Sequence, residues 1–260
     1  MKVNSNGIEI NYEIAGRGPW VTLSHSLACD LTMWDPQIEA LAARHTILRF
    51  DTRGHGASDA PAGAYTFAQL ADDVIGLLDA LGVERTHFVG LSMGGMIAQH
   101  VALRAPARLL SLTLADTSSR YPPEVLPVWR ERIDIVAARG MEPMVPSTLE
   151  RWFTEPYRQA HPEVMKRIAG LIRNTPPTGY IGCCHCIPTL NITDQIHTVR
   201  LPTLVIVGEQ DGGTPPAMAR EIAAAIPGAR LEIIPSAAHL SNIEQAETFN
   251  RLLLEFLAAL

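Results

Sequence analysis

The sequence has little of what marks a membrane protein or a nucleic-acid-binding protein. No stretch approaches about 18 uninterrupted apolar residues, so no membrane-spanning helix is predicted. The formal net charge is −6, so nucleic acid and anionic membranes are not expected as partners. The first residues, MKVNSNGIEINYE, alternate polar and apolar character and lack the apolar core of a signal peptide. We therefore expect a cytoplasmic protein.

Cysteine is also scarce, with four residues in a chain of 260. Cys29 stands alone, whereas Cys183, Cys184 and Cys186 surround His185 in the segment IGCCHCIP. A structural zinc site normally needs two separated pairs of ligands, and the sequence has no second pair. We interpret the cysteines as buried thiols and expect no metal.

The segment HFVGLSMGGM, residues 87–96, places a serine where an apolar strand gives way to a helix. The G-x-S-x-G pattern around Ser92 is typical of a nucleophile elbow, a sharp turn that exposes the serine hydroxyl above a sheet. We expect Gly90 and Gly94 to be required because the backbones pass too closely for a Cβ atom. The helix that begins at Met93 would point its positive end at charge developing beside Ser92.

Short apolar runs alternate with helical segments along most of the chain. The exception is residues 119–199, which read as consecutive helices separated by proline-rich turns. This alternation predicts an α/β fold with a mostly parallel sheet flanked by helices. We expect a core formed by residues 1–118 and 200–260, with residues 119–199 as a helical cap inserted between two strands. In such sheets ligands bind beyond the carboxyl ends of the strands, where Ser92 would lie.

A serine nucleophile needs a base, and His239 has the right position among the nine histidines. It follows the last predicted strand, in IIPSAAHLSNIEQ, and precedes the final helix. It should therefore lie at the same sheet edge as Ser92. Structural roles are expected for the histidines in the elbow strand and helix, at the start of an earlier strand and in the cap, namely His87, His100, His45, His161, His185 and His197.

Two aspartates compete for the role of the acid that orients this histidine. Asp211 ends the predicted strand TLVIVGEQD, and the loop DGGTPP that follows suits a rigidly held side chain. Asp116 ends LTLAD on the preceding predicted strand, from which an acid could also reach the histidine. We favour Asp211, and interpret Asp116 as a turn or helix cap before Thr117 and Ser118.

The tetrahedral intermediate of acyl transfer needs two hydrogen-bond donors for its oxyanion. One should be the backbone N–H of Met93, the residue after the nucleophile. The second usually comes from the loop after the third strand, here SHSLACD, where Leu27 is the best candidate.

With these residues the chain resembles the α/β-hydrolases, and more narrowly the 3-oxoadipate enol-lactonases. The similarity extends over nearly the whole length through the segments MWDPQ, RFDTRGHGASDAP, GLSMGGM, ERWFT, TPPTGYIGCC and AAHLSNIEQ. The resemblance implies lactone hydrolysis through an acyl-enzyme, with Ser92, Asp211 and His239 as the triad. Asp51 and Arg53 belong to the shared RGHG turn, and we expect them to hold that loop.

The resemblance also extends to the cap, where Trp129 and Trp152 match tryptophans of the enol-lactonases. Each is a candidate for the wall of the substrate pocket, or simply for packing of the cap core. The chain departs from the family after its double cysteine, because CIPTLNITDQI lacks the charges found there, at Pro188, Thr189 and Asn191. Other candidate cap cations for an anionic substrate are Arg130, Arg132 and Arg173.

The sequence thus predicts a cofactor-independent serine hydrolase acting on a small-molecule lactone or carboxylic ester. The same triad would serve a general carboxylesterase, an acyl-homoserine lactonase or a cofactor-free haloperoxidase acting as a perhydrolase. A hydrolase fold that only binds a ligand is the alternative outside enzymes. The sequence leaves the oligomeric state open, and a homo-oligomer is compatible with it.

Overall fold

The computed structural model describes residues 1–260 and contains one sheet of eight strands. The strands are β1 (Lys2–Ser5), β2 (Ile8–Gly16), β3 (Trp20–Ser24), β4 (Thr46–Phe50), β5 (Thr86–Leu91), β6 (Leu109–Ala115), β7 (Thr203–Gly208) and β8 (Arg230–Ile234). Their order across the sheet is β1-β2-β4-β3-β5-β6-β7-β8. Only β2 runs antiparallel to its neighbours β1 and β4, so the predicted mostly parallel sheet is confirmed.

Twelve α-helices accompany the sheet, together with short 3₁₀ turns. They are α1 (Asp35–Ala42), α2 (Phe67–Ala80), α3 (Met93–Arg104), α4 (Leu126–Arg139), α5 (Val145–Trp152), α6 (Glu155–Ala160), α7 (Pro162–Asn174), α8 (Pro177–Cys186), α9 (Thr193–Ile196), α10 (Pro216–Ala225), α11 (Ser241–Glu244) and α12 (Ala246–Ala258). Helices α1 and α12 pack together, as do α2 and α3. Because helices flank the sheet, β5 and β7 are buried along their whole length.

The strand register brings the candidate catalytic segments to one edge of the sheet. Leu91, the last residue of β5, is paired with Ala115, the last residue of β6, and Ala115 is paired in turn with Ile206 of β7. At the end of β7, Gly208 is paired with Ile234, the last residue of β8. The residues that follow these strands therefore emerge side by side, as the alternating pattern predicts.

The segment between β6 and β7 contains α4–α9 and no strand, which confirms the helical insertion. We keep the name cap for residues 119–199, a boundary that stays a prediction. The backbones of the cap and the core approach closely at two glycines. A Cβ atom on Gly179 of α8 would lie 1.9 Å from the carbonyl oxygen of Gly54. The N–H of Tyr65 also donates to the carbonyl of Gly182, at 3.1 Å. Helix α8 therefore lies directly on the RGHG loop.

Two further expectations concern the cysteines and the membrane. All four cysteines are buried free thiols, as predicted. None of the twelve helices combines the length and the apolar character that a membrane crossing requires.

Candidate active site

Ser92 lies in the turn between β5 and α3, with a backbone φ of 55°. This left-handed conformation is strained for a residue with a side chain and is typical of the elbow. A Cβ on Gly90 would lie 2.2 Å from the carbonyl oxygen of Gly94, and a Cβ on Gly94 would lie 2.1 Å from that of Ser24. The glycines are thus required by close backbone approach, as the sequence predicts. Thr117 secures the turn by donating its hydroxyl to the Ser92 carbonyl at 2.7 Å.

His239 follows β8 by five residues, and its ring Nδ1 lies 2.8 Å from Oδ2 of Asp211. A carboxylate only accepts, so Nδ1 carries the proton and Nε2 is left as the basic nitrogen. Ser92 and His239 line the same cavity, although no hydrogen bond joins the Ser92 hydroxyl to the ring. Such bonds often form only when substrate is bound.

Asp211 is held rigidly by the loop that follows it. Its Oδ1 accepts the N–H groups of Gly213 and Thr214, and its Oδ2 accepts the Thr214 hydroxyl at 2.7 Å. Burial raises the pKa of this carboxyl, but the adjacent His239 ring and the hydrogen bonds outweigh burial, so the net pKa lies below its ordinary value. Asp211 is therefore ionised beside His239, the arrangement needed to stabilise an imidazolium.

Asp116 makes contacts that differ from those predicted. Its carboxylate accepts the N–H of Gly208 and the hydroxyl of Ser241, and it contacts neither His239 nor the N–H groups of a following turn. The interpretation of Asp116 as a cap before Thr117 and Ser118 is wrong, because the side chain turns toward β7 instead. Burial, and then the charge of Asp211, raise the pKa of Asp116 well above its ordinary value.

The two predicted oxyanion donors are both available. Met93 is the first residue of α3, where an N–H group has no partner within the helix. In the loop after β3, the N–H groups of Ser26, Ala28 and Cys29 all donate to protein atoms. That of Leu27 donates to none. Leu27 also lines the same cavity as Ser92, so its N–H is placed where it could bind an oxyanion.

A cavity of about 200 Å³ beneath the cap is lined by Ser92, Leu27 and His239. Both predicted tryptophans line it: Trp129 from α4 and Trp152 from the end of α5. The Trp152 ring stacks beside the His239 ring, with centroids 6.4 Å apart and planes inclined by 29°. The cap also holds the loop of His239, because the N–H of Leu240 donates to the Trp152 carbonyl at 3.1 Å.

Two arginines of the cap, Arg132 and Arg151, line the same cavity, and neither forms an ion pair with a carboxylate. Arg132 lies over the Trp129 ring, with its guanidinium carbon 4.5 Å from the centroid. Arg151 donates only to the Thr148 hydroxyl, at 3.2 Å. Burial, and then the charge of Arg132, lower the pKa of Arg151. An anion bound between them would relieve this repulsion.

Of the three cap cations considered from the sequence, only Arg132 reaches the cavity. Arg130 is exposed, and Arg173 is paired with Glu142 at 2.5 Å on the surface. Sequence reasoning missed Arg151. Helical spacing could have indicated it, because Arg151 lies three residues after the buried Thr148.

The departure from the enol-lactonase pattern lies outside this cavity. Pro188, Thr189 and Asn191 line a separate surface hollow together with Arg120 and Glu221. Of residues 187–191, only Ile187 lines the cavity of Ser92. The missing charges therefore leave the two arginines of the cavity unaffected.

The RGHG turn holds the surrounding loops, as expected. Asp51 accepts the N–H groups of Leu31 and Ala57, each at 2.8 Å. Arg53 forms a buried bidentate pair with Asp73, with both bonds at 2.7 Å. The bond from Leu31 to Asp51 joins the loop after β3 to the loop after β4, and the Arg53–Asp73 pair joins the latter loop to α2.

Comparisons with known proteins agree with this architecture. The family described as alpha/beta hydrolase fold matches residues 19–246. A relative named 3-oxoadipate enol-lactonase 2, from Acinetobacter baylyi, is 32% identical over 95% of this chain and 92% of its own length. The crystal structure of an enol-lactonase from Burkholderia xenovorans LB400 is similar with a TM-score of 0.96 and 39% identity, covering 99% of this chain and 100% of that one. A thermophilic esterase from Thermogutta terrifontis with malate bound has a TM-score of 0.95 and 32% identity, covering 100% and 98%.

Proposed function

The chain belongs to the α/β-hydrolase fold family, and we propose that it cleaves a small lactone or ester that carries a carboxylate, using Ser92, His239 and Asp211. The family and the relatives named as enol-lactonases and an esterase support hydrolysis of a lactone or ester. The proposal for the substrate's charge rests on one observation. Two arginines without carboxylate partners share the cavity of Ser92.

The proposed reaction begins when the Ser92 hydroxyl attacks the carbonyl carbon and His239 takes its proton. The N–H groups of Leu27 and Met93 donate to the oxyanion of the tetrahedral intermediate. The ring C–O bond of the lactone then breaks, and His239 returns the proton to the leaving oxygen. The product of this half-reaction is an acyl-enzyme on Ser92.

A water molecule completes the reaction. His239 takes a proton from water as its oxygen attacks the acyl carbon, and the acid leaves as Ser92 regains its proton. Asp211 stays ionised throughout and stabilises the imidazolium in both halves. These steps need only groups of this chain and water. A cytoplasmic location remains a prediction from the sequence.

The substrate's carboxylate would lie between Arg132 and Arg151. Guanidinium groups bind carboxylates in a planar, bidentate manner, and a cavity shared with tryptophans strengthens such a contact by excluding water. In 3-oxoadipate enol-lactone one carboxyl group forms the lactone and the other remains free, so this substrate has the required charge. A methyl ester of the same lactone has the same ring without the charge.

The test compares kcat/KM for 3-oxoadipate enol-lactone and for its methyl ester, with Ser92→Ala as the blank. We expect Arg151→Met and Arg132→Met each to lower kcat/KM for the charged lactone by about 10- to 100-fold, because a hydrogen bond to a charged group is lost. The values for the methyl ester should stay within about threefold. Arg130→Met removes an exposed cap charge outside the cavity and serves as the matched control.

Covalent labelling separates an enzyme from a protein that only binds a ligand. A fluorophosphonate should label the wild type, and Ser92→Ala should abolish the labelling. Absence of labelling would favour the binding-only alternative. If the wild type is labelled but the arginine variants lose equal kcat/KM on the charged lactone and on its methyl ester, the protein is a hydrolase that does not recognise a substrate carboxylate.

A further inference from the structure

Two fully buried histidines, His25 and His55, lie directly behind the loop that carries the Leu27 N–H. Their ring centroids are 5.2 Å apart. Neither lines the cavity, and neither takes part in the proposed reaction. They come from separate segments: His25 follows β3, whereas His55 belongs to the RGHG turn after β4.

The contacts of His55 determine its protonation. Its Nε2 lies 3.1 Å from the backbone N–H of Ala28, which can only donate, so Nε2 carries no proton. Its Nδ1 lies 3.2 Å from the carbonyl oxygen of Arg53, which can only accept, so Nδ1 carries the proton. The ring is therefore neutral. Burial, followed by the neighbouring His25, lowers its pKa to about 3, which agrees with these contacts.

His25 has the same arrangement and supports the same loop. Its Nδ1 donates to the carbonyl of Ser26 at 2.7 Å, and its Nε2 accepts the N–H of Thr52 at 2.9 Å. Burial is the main cause that lowers the pKa of His25, opposed by the charge of Asp51 and, more weakly, of Asp30. Two neutral rings thus hold the loop from Ser26 to Ala28 against the RGHG turn.

The loop itself is strained and depends on outside support. The N–H of Cys29 donates to the Ser26 carbonyl at 3.2 Å, which closes a four-residue turn with Leu27 and Ala28 in the middle. Ala28 has a φ of 60°, in the region that favours glycine. Such a residue persists only when its surroundings hold it there, and His55 accepts the N–H of this same residue.

We propose that His55 is a positioning residue for the oxyanion site: by accepting the Ala28 N–H it fixes the peptide that follows Leu27 and so aims the Leu27 N–H into the cavity. This inference rests on the proposed function, because an oxyanion forms only if Ser92 attacks a carbonyl. His55 itself touches no reacting atom.

The test uses substitutions of His55 that keep or remove the acceptor. In His55→Gln the amide oxygen can occupy the place of Nε2 and accept the Ala28 N–H. His55→Leu and His55→Asn remove it, since leucine has no polar atom and asparagine is too short. His87→Leu is the matched control: His87 is also buried and bonded by its Nδ1, to Ser111, but it lies near the start of β5, away from the carboxyl edge.

Turnover of p-nitrophenyl acetate is measured per active site, after the sites have been counted by complete reaction with a fluorophosphonate. We expect His55→Leu and His55→Asn to lower kcat by roughly 30- to 300-fold, because one oxyanion donor is misaligned. KM should stay within about threefold. Affinity for a trifluoromethyl ketone, which forms a tetrahedral adduct, should fall by the same factor as kcat. His55→Gln should keep kcat within about fivefold of the wild type, as should His87→Leu.

The comparison of variants separates positioning from a merely structural role. A structural role would reduce the number of titrated sites and leave kcat per site unchanged, and that result would overturn the inference. A His55→Gln variant as slow as His55→Asn would also overturn the inference. This comparison still decides the question if His55→Leu fails to fold. If the wild type neither hydrolyses p-nitrophenyl acetate nor reacts with the fluorophosphonate, the proposed function and this inference both fail. If the wild type is labelled and His55→Asn has the same kcat per site, only the inference fails.

Discussion

The Trp152 ring lies beside the His239 ring, 6.4 Å away, so the cap covers the side chain that we propose as the base. Replacement of Trp152 by alanine would open space next to His239 and let the ring move. We expect Trp152→Ala to lower kcat for p-nitrophenyl acetate about tenfold, because small displacements of a catalytic group reduce the rate strongly. Trp152→Phe, which keeps an aromatic ring, should retain most of the rate. A rise in KM alone would mean that Trp152 serves only as a pocket wall.

The two buried aspartates should respond very differently to replacement by asparagine. Asp211→Asn should lower kcat by roughly 10³- to 10⁴-fold, because the amide can no longer hold His239 in the tautomer with a proton on Nδ1. Asp116→Asn should keep kcat within about fivefold. Its amide oxygen can still accept the Gly208 N–H, and its amide nitrogen can donate to Ser241. Equal losses in the two variants would reopen the choice of acid.

The buried neutral state of His55 predicts a dependence of stability on pH. Its pKa is about 3 in the folded protein and near the ordinary value of about 6.5 in the unfolded chain. The unfolded chain therefore binds more protons, and the free energy of unfolding falls as the pH is lowered from about 6.5 toward 3. The stability of the wild type relative to His55→Gln should fall by at most about 1.4 kcal/mol per pH unit in this window.

Urea unfolding of both proteins at pH 8, 6 and 5 measures this difference. The exposed His185, replaced by glutamine, provides the control for loss of a histidine on the surface. A difference between wild type and His55→Gln that is the same at all three pH values would contradict a buried, neutral His55.

The contact between Gly179 and Gly54 predicts opposite effects for two glycine substitutions in the cap. In Gly179→Ala the new methyl group would lie 1.9 Å from the Gly54 carbonyl oxygen, so α8 would have to move. We expect a loss of about 1 to 3 kcal/mol in the free energy of unfolding. Gly170, in α7, has no atom within 4 Å of its Cβ position, so Gly170→Ala should stabilise the protein by roughly 0.5 to 1 kcal/mol. Equal stabilities of the two variants would argue against close docking of α8.

Local sequence patterns predicted most of the fold. The strands of the parallel sheet were recognisable because each is an apolar run bounded by turn residues. Between β1 and β2, Asn6 and Gly7 take positive φ angles of 51° and 79°, a conformation that Asn-Gly sequences favour in hairpin turns. The strand ends were less exact. The β7 strand ends at Gly208, so Asp211 lies in the following turn rather than at the strand's end.

Functions that depend on contacts between distant segments could not be predicted in this way. His55 and Ala28 are 27 residues apart, and no local pattern indicates that one accepts a hydrogen bond from the other. The contacts of Asp116 were missed for the same reason, because its partner Ser241 is 125 residues away. Arg151 differs, since its helical spacing from Thr148 was available in the sequence.

The cap is fastened to the core at places other than helix α4, which lines the cavity of Ser92. One anchor is α8 on the RGHG loop, and another is the turn after α5, where Thr154 donates its N–H to Glu244 at 3.0 Å. Glu244 also accepts the N–H of Ala238, next to the proposed base. Helix α4, which carries Trp129 and Arg132, contributes to neither anchor. Substrate preference can therefore diverge between descendants of this chain through changes in one helix, while the reaction they inherit stays the same.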